Sequence, residues 1–467
     1  MTPGSPPAPI IEDPGPGVLR FGLHVLYDTL WWLAILAGSP WWVWRAWREP
    51  AFRRMVFGRL GFDLPAAPCT GQRRRVLIHG VSVGEVKAAA ALVALFEREH
   101  PELEIVLSTT TDTGVTIAEK VYPKHRVVRF PVDPTWLVRR FLRRVAPVCV
   151  VLVELEIWPN FLRSANRMGI PVAVVNGRIT ASSFKRYRSF RHLLPQFNRI
   201  SLFCVQNEEY AARFADLAEG DERILITGNI KADGLGTGPL EVPAELRRLT
   251  GPAEGQLVLC AGSTHEPEER YLVEAWRRVA PGVRLVLVPR HPGRAESVLA
   301  SLADLGVSAQ LLSSLRAGAR PDPSQPLVVD SIGELEGLLG LADLVFIGGS
   351  LVPHGGQNML EPAAAGRAVI YGPHVENFEF EASLLESRGA ARRLAGLEAL
   401  APALAELLED PHLRAEMGTR GQAAVADQRG ATSRTLVALQ ERCLLGRGHS
   451  GKSELLFPSN KPAAHRL

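Results

Sequence analysis

Short apolar runs alternate with amphipathic, helix-length segments over most of the chain. In the first half the runs fall at 76–79, 105–108, 127–130, 148–153, 172–175, 202–205 and 225–227. The second half repeats the theme at 257–261, 285–288, 327–329, 344–347 and 369–371. Most are rich in Val, Ile or Leu without polar alternation, which predicts parallel strands covered on both faces. Between the halves, residues 233–252 (DGLGTGPLEVPAELRRLTGP) have the Gly/Pro content of an interdomain linker. Two α/β domains follow.

The start of the chain breaks this pattern. Residues 1–17 are Pro- and Gly-rich with little to bury, and read as disordered. Residues 18–60 read as a helical anchor segment. Six of the nine tryptophans lie at 31, 32, 41, 42, 44 and 47, and Arg45, Arg48, Arg53 and Arg54 stand among or after them. Tryptophans beside arginines suit a cytoplasmic membrane interface. The uncharged run 29–44 is shorter than the ~20 residues of a spanning helix. Arg20, His24 and Asp28, spaced by four, form one polar stripe on a helix. The expectation is an anchor lying in or dipping into the leaflet, with a single span as the alternative.

Composition narrows the class. At 467 residues the chain exceeds one ordinary core, so two domains are expected. With 46% hydrophobic and 22% charged residues it is globular, and a net charge of +4 calls for no nucleic acid. The cysteines at 69, 149, 204, 260 and 443 have no metal-ligand spacing and read as reduced cytoplasmic thiols. Residues 446–467 read as a mobile basic tail; GHSGKS within it lacks P-loop spacing.

Candidate chemistry gathers at 344–378 (LVFIGGSLVPHGGQNMLEPAAAGRAVIYGPHVENF). Gly348-Gly349 and Gly355-Gly356 are expected to let backbone approach a ligand. A helix opening near Asn358 offers N–H groups to a phosphate, and Glu361 can accept ribose hydroxyls. Pro289-Arg290 and Ile332, Gly333 and Glu334 follow other strands of this half, and Arg290 can grip a phosphate. Ser263 and Thr264 are possible further donors. In the first half Glu85 follows the first strand, and Glu154 and Glu156 end a hydrophobic strand. On position alone Glu85 reads as a helix-start residue, and Lys231 as a surface lysine.

These residues sit in motifs that resemble, in order, the bacterial 3-deoxy-D-manno-octulosonic acid (Kdo) transferases of lipopolysaccharide synthesis. The set is HGVSVGE (79–85), STTTDTG (108–114), ELEIWPN (154–160), NGRIT (176–180), VQNEEYAARF (205–214), TGNIKAD (227–233), STHEPEE (263–269), LVPRHP (287–292), GGSLVPHGGQNMLEP and GPHVENF. It covers roughly residues 20–440. The sequence departs from the family in having Met359 where proline is common and His79-Gly80 where His-Ala or His-Ser is usual.

The resemblance implies the GT-B fold, two Rossmann-like domains facing a cleft: an acceptor domain (61–235) and a donor domain (250–445). It implies an inverting transfer of Kdo from CMP-Kdo to a lipid A precursor, lipid IVA, at the cytoplasmic face of the bacterial inner membrane. Glu85 matches the general base, Glu154 a residue supporting the transition state, and Lys231 its cationic partner. Pro289, Arg290, Ile332, Gly333, Glu334, Asn358, Met359, Leu360 and Glu361 match the cytidine monophosphate pocket. No cofactor and no metal are implied. The E-x7-E pattern of many retaining GT-B enzymes is missing, since Val369 stands eight residues after Glu361. Expected partners are CMP-Kdo, the lipid A precursor and membrane lipid. The alternative is another GT-B nucleotide-sugar enzyme, a glycosyltransferase or an epimerase; a catalytically silent, membrane-tethered nucleotide-binding module is the rival outside enzymes.

Overall fold

All the expected strands form, within a residue or a few of their expected ends, and each half builds one seven-stranded parallel sheet. The computed structural model describes residues 18–62, 64, 74–191, 196–236, 238 and 240–444. The expected disordered start (1–17) and basic tail (446–467) lie outside the described residues, as does Cys69. The chain divides into two compact units, residues 1–234 with 429–467, and residues 235–428.

The first unit holds β1 (Arg75–His79), β2 (Glu104–Thr109), β3 (Arg126–Arg129), β4 (Pro147–Val153), β5 (Val172–Gly177), β6 (Leu202–Val205) and β7 (Ile224–Ile226). Their order is β3-β2-β1-β4-β5-β6-β7. Successive residues enter opposite layers of core. Leu77, Val150, Leu152 and Val174 pack on one side, and Val76, Ile78, Val151 and Val175 on the other. Two buried faces explain why these strands read as continuous apolar runs.

The second unit holds β8 (Val258–Thr264), β9 (Arg284–Pro289), β10 (Gln310–Leu311), β11 (Leu327–Val328), β12 (Leu344–Ile347), β13 (Ala368–Tyr371) and β14 (Ala391–Arg393), in the order β10-β11-β9-β8-β12-β13-β14. The short edge strands β10 and β14 carry no apolar run, so nothing in the pattern announced them. In both sheets the order reverses beside the first strand, at β1/β4 and at β8/β12. Ligands of open parallel sheets bind beyond the strand ends at such switch points.

Two expectations change. The second domain is expected to run to residue 445, yet the chain returns to the first unit at 429. Helix Ala431–Leu439 buries Leu436, Ala438 and Leu439 in the first unit's core. Asp233 accepts from the backbone N–H of Gly430 (2.6 Å) and of Thr432 at that helix start, and Thr435 bonds Thr227 at 3.0 Å.

The first helix, Val18–Arg48, is also part of the first unit. Its span Phe21–Arg48 is long and apolar enough to cross a membrane by length and composition. The stripe residues His24 and Asp28, however, face protein. His24 is buried. Asp28 accepts from Thr135 N (2.9 Å), Thr135 Oγ1 (2.6 Å) and Asn160 Nδ2 (2.8 Å). Trp32 stacks on Trp136 with centroids 5.9 Å apart. The outer side exposes Phe21, Val25, Leu26, Leu30, Leu33 and Leu36. Around His24 and Asp28 this helix turns its titratable side chains inward and displays apolar ones, the reverse of a surface helix in water.

Candidate active site

At the first switch point, β1 and β4 are adjacent and His79 is in register with Leu152. The loop after β1 runs into helix Val83–Ala88, capped by Ser82. Ser82 Oγ accepts from Glu85 N (3.2 Å) and donates to Glu85 Oε1 (2.9 Å), while Val81 N donates to Glu85 Oε2 (2.7 Å). This is a capping box, so the helix-start reading of Glu85 holds structurally. The same bonds fix its carboxylate in place. Burial, and then the charge of Glu154, raises the Glu85 pKa above the ordinary carboxylate range. That moves it toward neutrality, where a general base is most effective.

Glu154 follows β4 in the left-handed region, with φ 65°. Its N–H bonds Val175 O at 2.8 Å, which keeps this backbone against β5. The carboxylate is clamped: Lys231 Nζ donates to Oε1 at 2.7 Å and Arg178 Nε to Oε2 at 2.8 Å. Burial alone would raise its pKa; Lys231 and Arg178 outweigh burial and hold it low. Lys231 is brought there by the turn after β7. Asn229 Oδ1 caps its N–H at 3.0 Å, and Asn176 Oδ1, at the end of β5, accepts from Ile230 N at 3.1 Å. Lys231 is therefore no ordinary surface lysine. Glu156 stands apart from the clamp: Trp158 Nε1 donates to it at 2.8 Å, and burial followed by the Glu85 charge raises its pKa.

Arg178 was not singled out from the sequence. It lies inside NGRIT, but nothing local marks it as the second cation on Glu154. His79 in HGVSVGE is a core residue. Its ring stacks on Phe130 at 3.9 Å, Nδ1 lies 3.0 Å from Ser108 Oγ, and burial pushes its pKa down to about 3.

At the second switch point the loops after β8 and β12 meet. The paired glycines there have a packing role. A Cβ on Gly348 would lie 2.3 Å from Ser263 O, and one on Gly355 2.2 Å from Asn377 Nδ2. These glycines let the loops close on each other. The loop amides are also occupied. Glu268, fully buried, accepts from Gly349 N (2.7 Å), Ser350 N (2.9 Å), Leu351 N (2.9 Å) and His265 N (2.9 Å). Thr264 Oγ1 donates to Glu269 at 2.8 Å, which is in turn paired with Arg294 at 2.9 Å. Thr264 is thus a scaffold group, while Glu268 and Glu269 of STHEPEE organise the loop. Around it His265 stacks on His354 at 4.2 Å, with His291 at 6.4 Å.

The remaining pocket residues divide by exposure. Arg290 follows β9, exposed and without an ion-pair partner among the described residues, whereas Pro289, which ends the strand, is buried. Asn358 precedes helix Leu360–Ala364, which starts two residues after the expected opening; its Oδ1 accepts from Leu360 N (3.1 Å) and its Nδ2 donates to Glu361 Oε1 (2.9 Å). Glu361 is exposed, while Met359 and Leu360 point into the core, so only their backbone could meet a ligand. Ile332 is 86% exposed, beside Gly333 at φ 96°. Glu334 is held by Arg316 Nη1 at 2.8 Å, which is the main reason its pKa is lowered.

Comparison with known proteins supplies the context. Residues 54–234 match the family model described as 3-deoxy-D-manno-octulosonic-acid transferase (kdotransferase). The chain is 33% identical to a 3-deoxy-D-manno-octulosonic acid transferase of Haemophilus influenzae, over 84% of this chain and 92% of that one. It is 33% identical to the protein of the same name from Bordetella pertussis, over 91% and 99%. Among solved structures, a glycosyltransferase from Rickettsia africae shares the fold, with TM-score 0.56 and 12% identity over 80% of this chain and 99% of that chain.

Proposed function

The chain belongs to the 3-deoxy-D-manno-octulosonic acid transferase family, and from that premise we propose that it moves Kdo from CMP-Kdo to a lipid A precursor, lipid IVA, with inversion. The observation that carries this reading is the Glu154 carboxylate clamped by Lys231 and Arg178, close enough to Glu85 to raise its pKa.

A sugar hydroxyl is a weak nucleophile at neutral pH, so a base must take its proton as the new bond forms. Glu85 is that base: it has a raised pKa and a carboxylate fixed by two hydrogen bonds. As CMP departs, positive charge grows on the Kdo ring and negative charge on the phosphate. Pre-aimed charges stabilise that state more than the ground state. In the first unit Lys231, kept oriented by Glu154, is the candidate cation for these charges; in the second unit it is Arg290. The reading assigns this work to side-chain cations, not to a metal ion. Asn358 and Glu361 hold the ribose of the donor, with the backbone at 332–334 and 359–360 beside it. A single displacement by the acceptor inverts the anomeric centre. The apolar outer side of the first helix supports attachment to the inner membrane at its cytoplasmic face.

Incubating the purified protein with CMP-Kdo and lipid IVA tests the reading. Expected are CMP release and a heavier lipid whose mass counts the Kdo residues added, with turnover unaffected by a chelator. In calorimetry, Glu361→Ala and Arg290→Ala each weaken CMP binding on the order of tenfold, as for one lost charge-assisted hydrogen bond. A protein that ignores CMP-Kdo and turns over a UDP-sugar would belong to the alternative class.

A further inference from the structure

A cavity of about 580 Å³ lies where the first helix meets helix Thr135–Val145. One wall is the stacked pair Trp32 and Trp136, both more than two-fifths exposed. Arg139, Arg140 and Arg143 line it as well, on the same face of their helix as Trp136, three, four and seven residues further on. Arg139 and Arg143 have no ion pair or hydrogen bond among the described residues; Arg140 lies over the Phe62 ring at 5.5 Å. The one acidic group lining the cavity, Asp28, is already engaged by Thr135 and Asn160. Among the described residues the fold leaves the Arg139 and Arg143 guanidinium groups without a partner.

Its chemistry is that of a phosphate site with an apolar neighbour. Guanidinium groups bind phosphate oxygens in pairs. Tryptophans favour the depth at which headgroups meet acyl chains. Val25 and Leu36, seven residues before and four after Trp32, share its side of the first helix and are exposed. We infer that this cavity seats the phosphate headgroup of an anionic glycerophospholipid of the surrounding leaflet, its acyl chains lying along the first helix. The inference rests on the reading that this helix faces a bilayer. It adds a second attachment, on the α/β unit itself, that sets which side of that unit faces the membrane.

The test is flotation of the full chain with vesicles of phosphatidylcholine alone or containing phosphatidylglycerol. The wild type is expected to float with both and to prefer the anionic ones. Arg139→Gln with Arg143→Gln should lower the anionic-over-zwitterionic partition ratio on the order of tenfold, given the usual contribution of an arginine near an anionic surface. Arg247→Gln with Arg248→Gln, exposed arginines of the second unit, removes the same charge and should leave the ratio alone. Trp136→Ala, with the arginines intact, should weaken binding to both vesicle types. An unchanged ratio in the Arg139/Arg143 variant, or an equal fall in the control, overturns the inference and leaves membrane attachment by the helix standing. A wild type that floats with neither vesicle overturns both. If the ratio holds and the variant's KM rises for lipid IVA in neutral detergent, the cavity serves the acceptor's phosphates and the leaflet assignment is wrong.

Discussion

Lys231 Nζ lies 2.7 Å from Glu154 Oε1, and the pair is mostly withdrawn from water, with side-chain exposures of 23% and 10%. Seventy-seven positions separate the two residues. Arg178 bonds the other oxygen of the same carboxylate. One carboxylate thus fixes two cations at the carboxyl end of the first unit's sheet.

Glu154→Ala strands two cations in a half-buried site. It should cost about 3–5 kcal/mol, the range for removing one partner of a buried pair. Lys231→Met leaves Arg178 on Glu154 and should cost less. Turnover in Lys231→Met should still fall on the order of 10²–10³, as for one lost transition-state charge partner. Denaturant unfolding and initial rates on the whole protein check both. If Lys231→Met proves the more destabilising, the clamp is not organised around Glu154.

Glu85→Gln keeps shape and hydrogen-bonding reach but cannot take a proton. Turnover should drop on the order of 10²–10⁴ with CMP affinity unchanged. The base must be ionised to act, so kcat/KM should fall as pH drops through the Glu85 pKa, above the ordinary 4.5. Glu154→Gln removes the neighbouring charge that helps to raise it. Its residual activity should therefore show the acid limb at lower pH. A near wild-type rate for Glu85→Gln at saturating substrates would move the base assignment to Glu156.

Glu268→Ala leaves four inward-facing amides without an acceptor, at about 1–3 kcal/mol for each one that stays dry. The second unit should melt at lower temperature and CMP binding should weaken, although Glu268 touches no ligand in this reading. Glu268→Gln, with one acceptor oxygen, should fall between. Calorimetric melts with and without CMP measure this; a Glu268→Ala protein as stable as the wild type would mean that water replaces the carboxylate.

His79 is held neutral down to about pH 3, whereas an unfolded His binds a proton near 6.5. Between those values the unfolded chain carries the extra proton, so His79 makes stability fall as pH drops from 6.5 toward 3. His79→Gln should make that decline shallower in melting experiments across the window. An identical pH slope in the variant would show that His79 is not the group responsible.

Much of this molecule is encoded locally. The apolar runs mark the main strands because burial on both faces needs only a few consecutive Val, Ile or Leu residues. The ordered motifs picked out Glu85, Glu154 and Lys231, and Asn358 and Glu361 on the donor side. What stayed hidden depends on strand order and on the approach of distant segments. Arg178 becomes the second cation on Glu154 because β4 and β5 are neighbours. The Gly348 loop reads as open to a ligand until Glu268, some eighty residues earlier, is seen to take the amides of Gly349, Ser350 and Leu351. The polar stripe of the first helix is equally evident in the sequence, but Asp28 points inward because Thr135 and Asn160, more than a hundred residues away, await it. Periodicity shows that a helix has two unlike faces; which face meets protein is settled by where the matching hydrogen-bond partners come to lie.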